Sequence, residues 1–260
     1  MGRRIKAEYF NTWLSMLDTD IRQTFETIQQ QSLEPHSFTF YTSVSVMSSS
    51  RIEGEQLDVD SYVKHKILYI EYLPELTEKP NDLYRAYLFA HDNKLNQENL
   101  QQAHTLIAQH LLPEHQRGAV RTTEMLIMEH NTGRIQYEAA PCAMVLERYN
   151  ELWQEIEALL NENLNLEEVF YYAALIHLVF VKIHPFNDGN GRTGRLLEKW
   201  FLARKLGEKA WYIGSERYYY QHLQVYYNNL ARTGLFYDEL NYDKAVPFLL
   251  MLPNALIINK

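Results

Sequence analysis

Apolar residues recur every three or four positions along most of this chain and strict alternation is scarce, so the pattern predicts helices. DLYRAYLFAHDNKL puts Leu83, Tyr84, Tyr87, Leu88 and His91 on one face, and LNQENLQQAHTLIAQHLL continues with Leu100, His104, Ile107 and Leu111. AMVLERYNELWQEIEALL repeats the period through Met144, Leu146, Tyr149, Leu152, Trp153, Ile156 and Leu159. NLEEVFYYAALIHLVFVKI opens on Asn165 with Glu168 three residues later, a capping-box start that favours a buried helix over a strand for its apolar end. RTGRLLEKWFLARKLG runs at helical period and stops at Gly207, a suitable helix-ending residue. One segment departs: EMLIMEHNTGRIQYEAAP has two short strand-like pieces around Asn131-Thr132-Gly133 and predicts a β-hairpin. EYLPELTEKPND, with Pro74 and Pro80, marks the expected boundary between an N-terminal part and the core.

Composition narrows the class. The 260 residues are 46% hydrophobic and 22% charged, which suits a globular chain with one main core and an appendage. A formal net charge of −8 speaks against direct nucleic-acid or anionic-membrane binding, since both need positive charge. Cys142 is the single cysteine, so no internal disulfide forms and a cytoplasmic location is expected. The start MGRRIKAEYF has no apolar run behind its arginines, and Lys6 stands where a myristoylation signal has Ser or Thr. No stretch reaches the length of a membrane span, and a homodimer is compatible with the sequence.

Candidate chemistry concentrates in HPFNDGNGRTGR, His184 to Arg195, between the last two predicted helices. Gly189, Gly191 and Gly194 satisfy G-x-G-x-x-G, but that dinucleotide fingerprint works only after a strand in a βαβ unit, and this context is helical. What remains is a loop feeding a helix N-terminus, where free amides and the dipole attract anions. Glycines let the amides approach a phosphate, and Arg192 and Arg195, three apart, add guanidinium forks on one side. Asp188 suits such a site if a Mg2+ intervenes, and His184 has the ordinary pKa of a general base. The bland alternative is a structural turn with surface arginines and a capping histidine.

These residues match the HPFx[D/E]GNGRxxR signature, so the chain is identified by resemblance as a member of the Fic family, best known for moving AMP from ATP to a protein hydroxyl. The resemblance implies an all-α, Fic-type helical bundle with a small β-hairpin flap. It implies that His184 is the base, that Asp188 carries Mg2+, and that Gly189, Asn190, Gly191, Arg192, Thr193, Gly194 and Arg195 hold the nucleotide. In SSSRIEGEQLD, Ser49, Glu53 and Gly54 resemble the inhibitory motif of Fic proteins restrained by their own N-terminal helix. In that class the glutamate pairs with the second signature arginine, here Glu53 with Arg195.

The hairpin resembles the flap that captures an extended target segment, with Gln136 and Tyr137 beside the site, although only Pro141 stands where the family often has two prolines. RYYYQHL resembles the adenine-bordering segment and nominates Tyr219 and Tyr220, with Leu223 as a further candidate. His177 lies on the His184 face without a third ligand, so it is expected as a packed core histidine. The resulting organisation is residues 1–79 as an N-terminal helical region with the inhibitory helix around 45–56, residues 80–238 as the catalytic core, and residues 239–260 as a packed tail. The expected function is an autoinhibited protein adenylyltransferase using Mg2+ and ATP on a Ser, Thr or Tyr hydroxyl. Alternatives are phosphoryl transfer, removal of AMP, or a nucleotide-sensing regulatory module.

Overall fold

The computed structural model describes residues 9–31, 37–128, 133 and 135–259. The Met-Gly start and most of the predicted hairpin turn, including Asn131 and Thr132, lie outside them. In chain order the helices are α1 (Phe10–Ser15), α2 (Ile21–Gln31), α3 (Ser37–Ile52), α4 (Val59–Leu68), α5 (Pro74–Asp92) and α6 (Gln97–Ile107). Strands β1 (Leu126–Met128) and β2 (Ile135–Glu138) follow, then α7 (Cys142–Asn161), α8 (Leu166–Ile183) and α9 (Asn190–Leu206). Four shorter helices close the chain: α10 (Ser215–Gln221), α11 (Leu223–Ala231), α12 (Val246–Leu249) and α13 (Met251–Asn254). The fold is all-α with one small antiparallel pair of strands, β1 against β2.

Helix α8 is the central element because it is apolar on every side, and its residues from Val169 to Ile183 are buried apart from Tyr172. Asn165 caps it as expected, with its side chain accepting from Glu168 N–H while the Glu168 carboxylate accepts from Asn165 N–H. Helices α7, α9 and α12 pack around α8, and α1, α2 and α13 close its remaining sides. Helix α3 lies across α4, α5 and α10 and touches α9.

The expected boundary at Pro74 and Pro80 is corrected. Pro74 opens α5 at a position where its missing N–H costs nothing, and Pro80 lies buried within the same continuous helix. The chain is not a core plus an appendage either: Trp13, Val46 and Leu256 belong to one apolar cluster with α8. Trp13 packs edge-on to Tyr171 at 5.5 Å between ring centroids, so the first helix is built into the centre.

Candidate active site

Helix α8 ends at Ile183, and His184 takes the left-handed conformation with φ 54° and ψ 61°. This reverses the chain, and the loop to Gly189 (φ 77°) delivers it into α9. Asn190 staples the loop: its Oδ1 accepts from Phe186 N–H at 2.9 Å and its Nδ2 donates to Phe186 O at 2.7 Å. The cap position is Gly189, so no side chain caps α9, and its first-turn amides stay available to an anion.

His184 Nδ1 lies 3.0 Å from the Val181 carbonyl. A carbonyl only accepts, so Nδ1 carries the proton and Nε2 keeps its lone pair. Burial, opposed by that hydrogen bond, lowers the imidazole pKa to about 4, so the ring is neutral at pH 7. Nearby, Asp188 is exposed, with Oδ1 accepting from Gly189 N–H at 2.6 Å and the other oxygen taking no hydrogen bond from the described residues.

Both signature arginines are held by the turn that ends α3. Arg195, 1% exposed, donates Nε to Ser49 Oγ at 2.8 Å, and one terminal nitrogen to Ser49 O at 3.2 Å and Glu53 Oε1 at 2.6 Å. Burial raises the Glu53 carboxyl pKa, but Arg195 and Arg192 together outweigh it and hold the group below its ordinary range. Gly54 makes this possible. It is the left-handed residue (φ 91°) of a helix-ending motif in which Gly54 N–H donates to Arg51 O and Glu55 N–H to Ser50 O. Gly191 has no Cβ where one would collide with the Glu53 carboxylate. Two residues beyond Glu53, Glu55 Oε1 holds Arg192 at 3.2 Å and Lys79 at 3.1 Å.

A cavity of about 370 Å³ joins these groups. Glu53, Tyr137, His184, Asp188, Gly191 and Arg195 line it together with Ile52, Tyr226, Tyr227 and Leu230. Ile127 and Met128 of β1 also line it.

Several expected site residues lie elsewhere. Tyr219 is fully buried and donates to Glu198, while Tyr220 accepts from Arg51 Nε at 3.0 Å and borders a different cavity. The break at His222 between α10 and α11 turns the tyrosine run, so Tyr226 and Tyr227 reach the site instead. Thr193 donates its hydroxyl back to Gly189 O within the first turn of α9, and Gly194 abuts Val181 and His177, where it lets α9 pack closely on α8. Arg192, turned to Glu55, does not line the cavity. Gln136 faces away from it because side chains alternate along β2, whereas Tyr137 donates to Val181 O at 3.1 Å. His177 is a core residue between Glu198 and Tyr226.

Sequence reasoning did not single out Glu55, Arg121 or His104 for the site. Arg121 donates to the His184 carbonyl at 2.7 Å. His104 accepts from Gly118 N–H on Nδ1, donates from Nε2 to Asp188 O at 2.9 Å, and stacks on Phe186 with ring centroids 3.7 Å apart. A histidine on an otherwise apolar face was the one available signal for His104.

Residues 94–202 match the model of the Fic/DOC family. Over 68 residues the chain is 44% identical to the protein adenylyltransferase Fic of Culex quinquefasciatus, covering 24% of this chain and 14% of that protein. Over 87 residues it is 33% identical to the protein of that name from Nematostella vectensis, covering 34% and 18%. The matched segments thus span less than a fifth of the length of these curated relatives. In fold the chain is similar to a Fic family protein from Desulfovibrio desulfuricans G20, with TM-score 0.74, 22% identity, and 98% of this chain and 72% of that one covered. It is also similar to a Fic domain containing signaling protein from Bacteroides thetaiotaomicron VPI-5482, with TM-score 0.63, 18% identity, and 98% and 94% covered.

Proposed function

This chain belongs to the Fic family, and on that premise we propose that it is a protein adenylyltransferase restrained by its own helix α3. The observation that carries the transfer reading is His184 with Nε2 open, in one cavity with the uncapped first turn of α9. The polyphosphate of ATP docks on the amides of that turn and on Arg195. The target hydroxyl loses its proton to His184 Nε2, its oxygen bonds to the α-phosphorus, and the bond to the β-phosphate bridge breaks to release pyrophosphate.

Asp188 fits a Mg2+ that arrives with the nucleotide, because a hard cation is commonly held by one carboxylate plus phosphate oxygens. Among the described residues no group of three or more His, Cys, Asp or Glu side chains offers an all-protein metal cage. Such an ion, held by Asp188 and the phosphate oxygens, would neutralise charge on the phosphates. An extended target segment pairs with the hairpin whose β1 borders the cavity, and the hydroxyl-bearing protein is captured by strand addition.

Restraint is competition for Arg195. While Glu53 occupies its fork, the γ-phosphate has no seat there, and Glu55 keeps Arg192 out of the cavity in the same state. The test is incubation of the Glu53→Gly variant with Mg2+ and ATP labelled on the α- or the γ-phosphate in the presence of cell extract. Protein label from α-labelled ATP supports the reading. Label from γ-labelled ATP alone would assign phosphoryl transfer instead.

A further inference from the structure

Between α6 and β1 the chain passes under the end of α8, and there Arg121 is 2% exposed. Its guanidinium is spent on carbonyl oxygens. Nε donates to His184 O at 2.7 Å, one terminal nitrogen donates to Ala140 O and to Ile183 O, and the other donates to Thr123 O. Its backbone N–H also donates to Pro185 O at 2.8 Å. A single residue thus grips three consecutive carbonyls at the junction of α8 and the loop, plus the carbonyl two residues beyond β2.

The junction needs such a grip. His184 is a non-glycine residue in the left-handed region, which costs about 1–2 kcal/mol and persists only where the surroundings over-determine it. The backbone angles of His184 decide where its ring points. The Val181 hydrogen bond then fixes the rotation of the ring, and hence which nitrogen faces the cavity.

We propose that Arg121 is the positioning residue for His184: it locks the left-handed junction that aims Nε2 into the cavity and ties that junction to the base of the hairpin. This rests on the reading of His184 as the base. The fork geometry matters, because only a planar group with several donors reaches His184, Ile183 and Ala140 together. The positive charge has a second effect in the same direction, since it opposes protonation of the imidazole. The other charged or titratable groups around the ring are Glu53 from α3, Tyr137 from β2, Asp188 from the loop, Arg195 from α9, Tyr226 and Tyr227 from α11 and Lys182 on α8 itself. Of these, Glu53 acts against Arg121 by favouring the protonated ring.

The experiment uses the full chain carrying Glu53→Gly, with Arg121→Gln and Arg121→Lys added singly and thermal unfolding recorded for each. Two readouts follow: kcat and KM for ATP in AMP transfer, and the tautomer and pKa of His184 from imidazole 15N shifts. For Arg121→Gln, kcat falls roughly ten- to a hundred-fold, the cost of misaiming a group by about an ångström, while KM for ATP stays within about two-fold. The His184 signal shifts from one tautomer to a mixture, with its pKa raised. Arg121→Lys recovers part of kcat and part of the single tautomer, and it alone carries the test if the glutamine variant does not fold. An unchanged tautomer and kcat in a folded variant, or a rise in KM alone, overturns the proposal. The nuclear resonance readout needs no turnover: a lost tautomer in a chain whose parent transfers no AMP would refute the reaction while leaving the positioning role standing.

Discussion

Replacing Glu53 by Gly removes the carboxylate that holds Arg195 at 2.6 Å, and its effect on nucleotide binding follows from the burial of the two partners. Arg195 is 1% exposed and Glu53 29%, so the pair is neither a solvated surface pair nor a sealed one. Exposed pairs contribute roughly 0.2–1 kcal/mol, and breaking buried ones costs about 3–5 kcal/mol. The competition at Arg195 is therefore set at about 2 kcal/mol, which is roughly a thirty-fold change in an equilibrium constant. Titration calorimetry with Mg2+ and a non-hydrolysable ATP analogue reads this directly, and the Glu53→Gly variant is expected to bind roughly thirty-fold more tightly than the parent. The free variant also melts earlier, because Arg195 keeps only Ser49 and Tyr226 as partners, and saturating nucleotide restores part of the loss. Equal affinity in the two proteins, or weaker binding by the variant, would refute the competition argument.

Further outcomes follow from the same geometry. Adding Glu55→Gln to Glu53→Gly frees Arg192 and raises AMP transfer a further roughly thirty-fold, about 2 kcal/mol for a pair whose side chains are 5% and 11% exposed, as read by initial rates. Gly54→Ala puts a Cβ on a left-handed residue at a cost of about 1–2 kcal/mol, so Tm falls by roughly 2–8 °C and transfer by the otherwise wild-type chain increases; a more stable, equally silent protein would count against the helix-end argument. Tyr219→Phe lowers stability by about 1–3 kcal/mol in urea unfolding, by leaving Glu198 short of a donor, with nucleotide affinity unchanged, whereas Tyr227→Ala weakens nucleotide binding. The His184 pKa is depressed in the folded chain to about 4 against an ordinary 6.5, so the unfolded chain binds more protons between those values. Its contribution is complete above pH 6.5 and is lost as pH falls towards 4; a Tm profile of His184→Gln is shallower across that window, and an identical slope would contradict the lowered pKa of the ring.

The long helices were legible because their period is local and their ends carry chemistry of their own, as Asn165 with Glu168 and Gly207 illustrate. The signature loop was legible as a loop feeding a helix, but the division of labour inside it was not. Asn190 turned out to staple the loop, Thr193 to bond back to Gly189 and Gly194 to pack α9 on α8, because position within a helical turn, rather than residue type, decides which way each points. The tyrosine run misled for a related reason. A helix break at His222 separates Tyr219 on α10 from Tyr226 and Tyr227 on α11, and nothing in RYYYQHL marks it. Arg121 and Glu55 were hidden altogether, since their partners lie 63 and 137 residues away and only the packed fold brings them together. Pro80 misled in the other direction, because a residue that usually breaks a helix is accommodated inside one.

The central claim is that His184 and the first turn of α9 together move AMP to a protein hydroxyl when Glu53 lets go of Arg195. Its most direct measurement is peptide mass spectrometry of extract proteins, and of the chain itself, after incubation with Mg2+ and ATP and the parent, Glu53→Gly or Glu53→Gly/His184→Ala protein. The account predicts an AMP adduct on a Ser, Thr or Tyr side chain that is abundant with Glu53→Gly, scarce with the parent and absent with the double variant. An adduct of phosphate alone, or an AMP adduct that persists without His184, would contradict it.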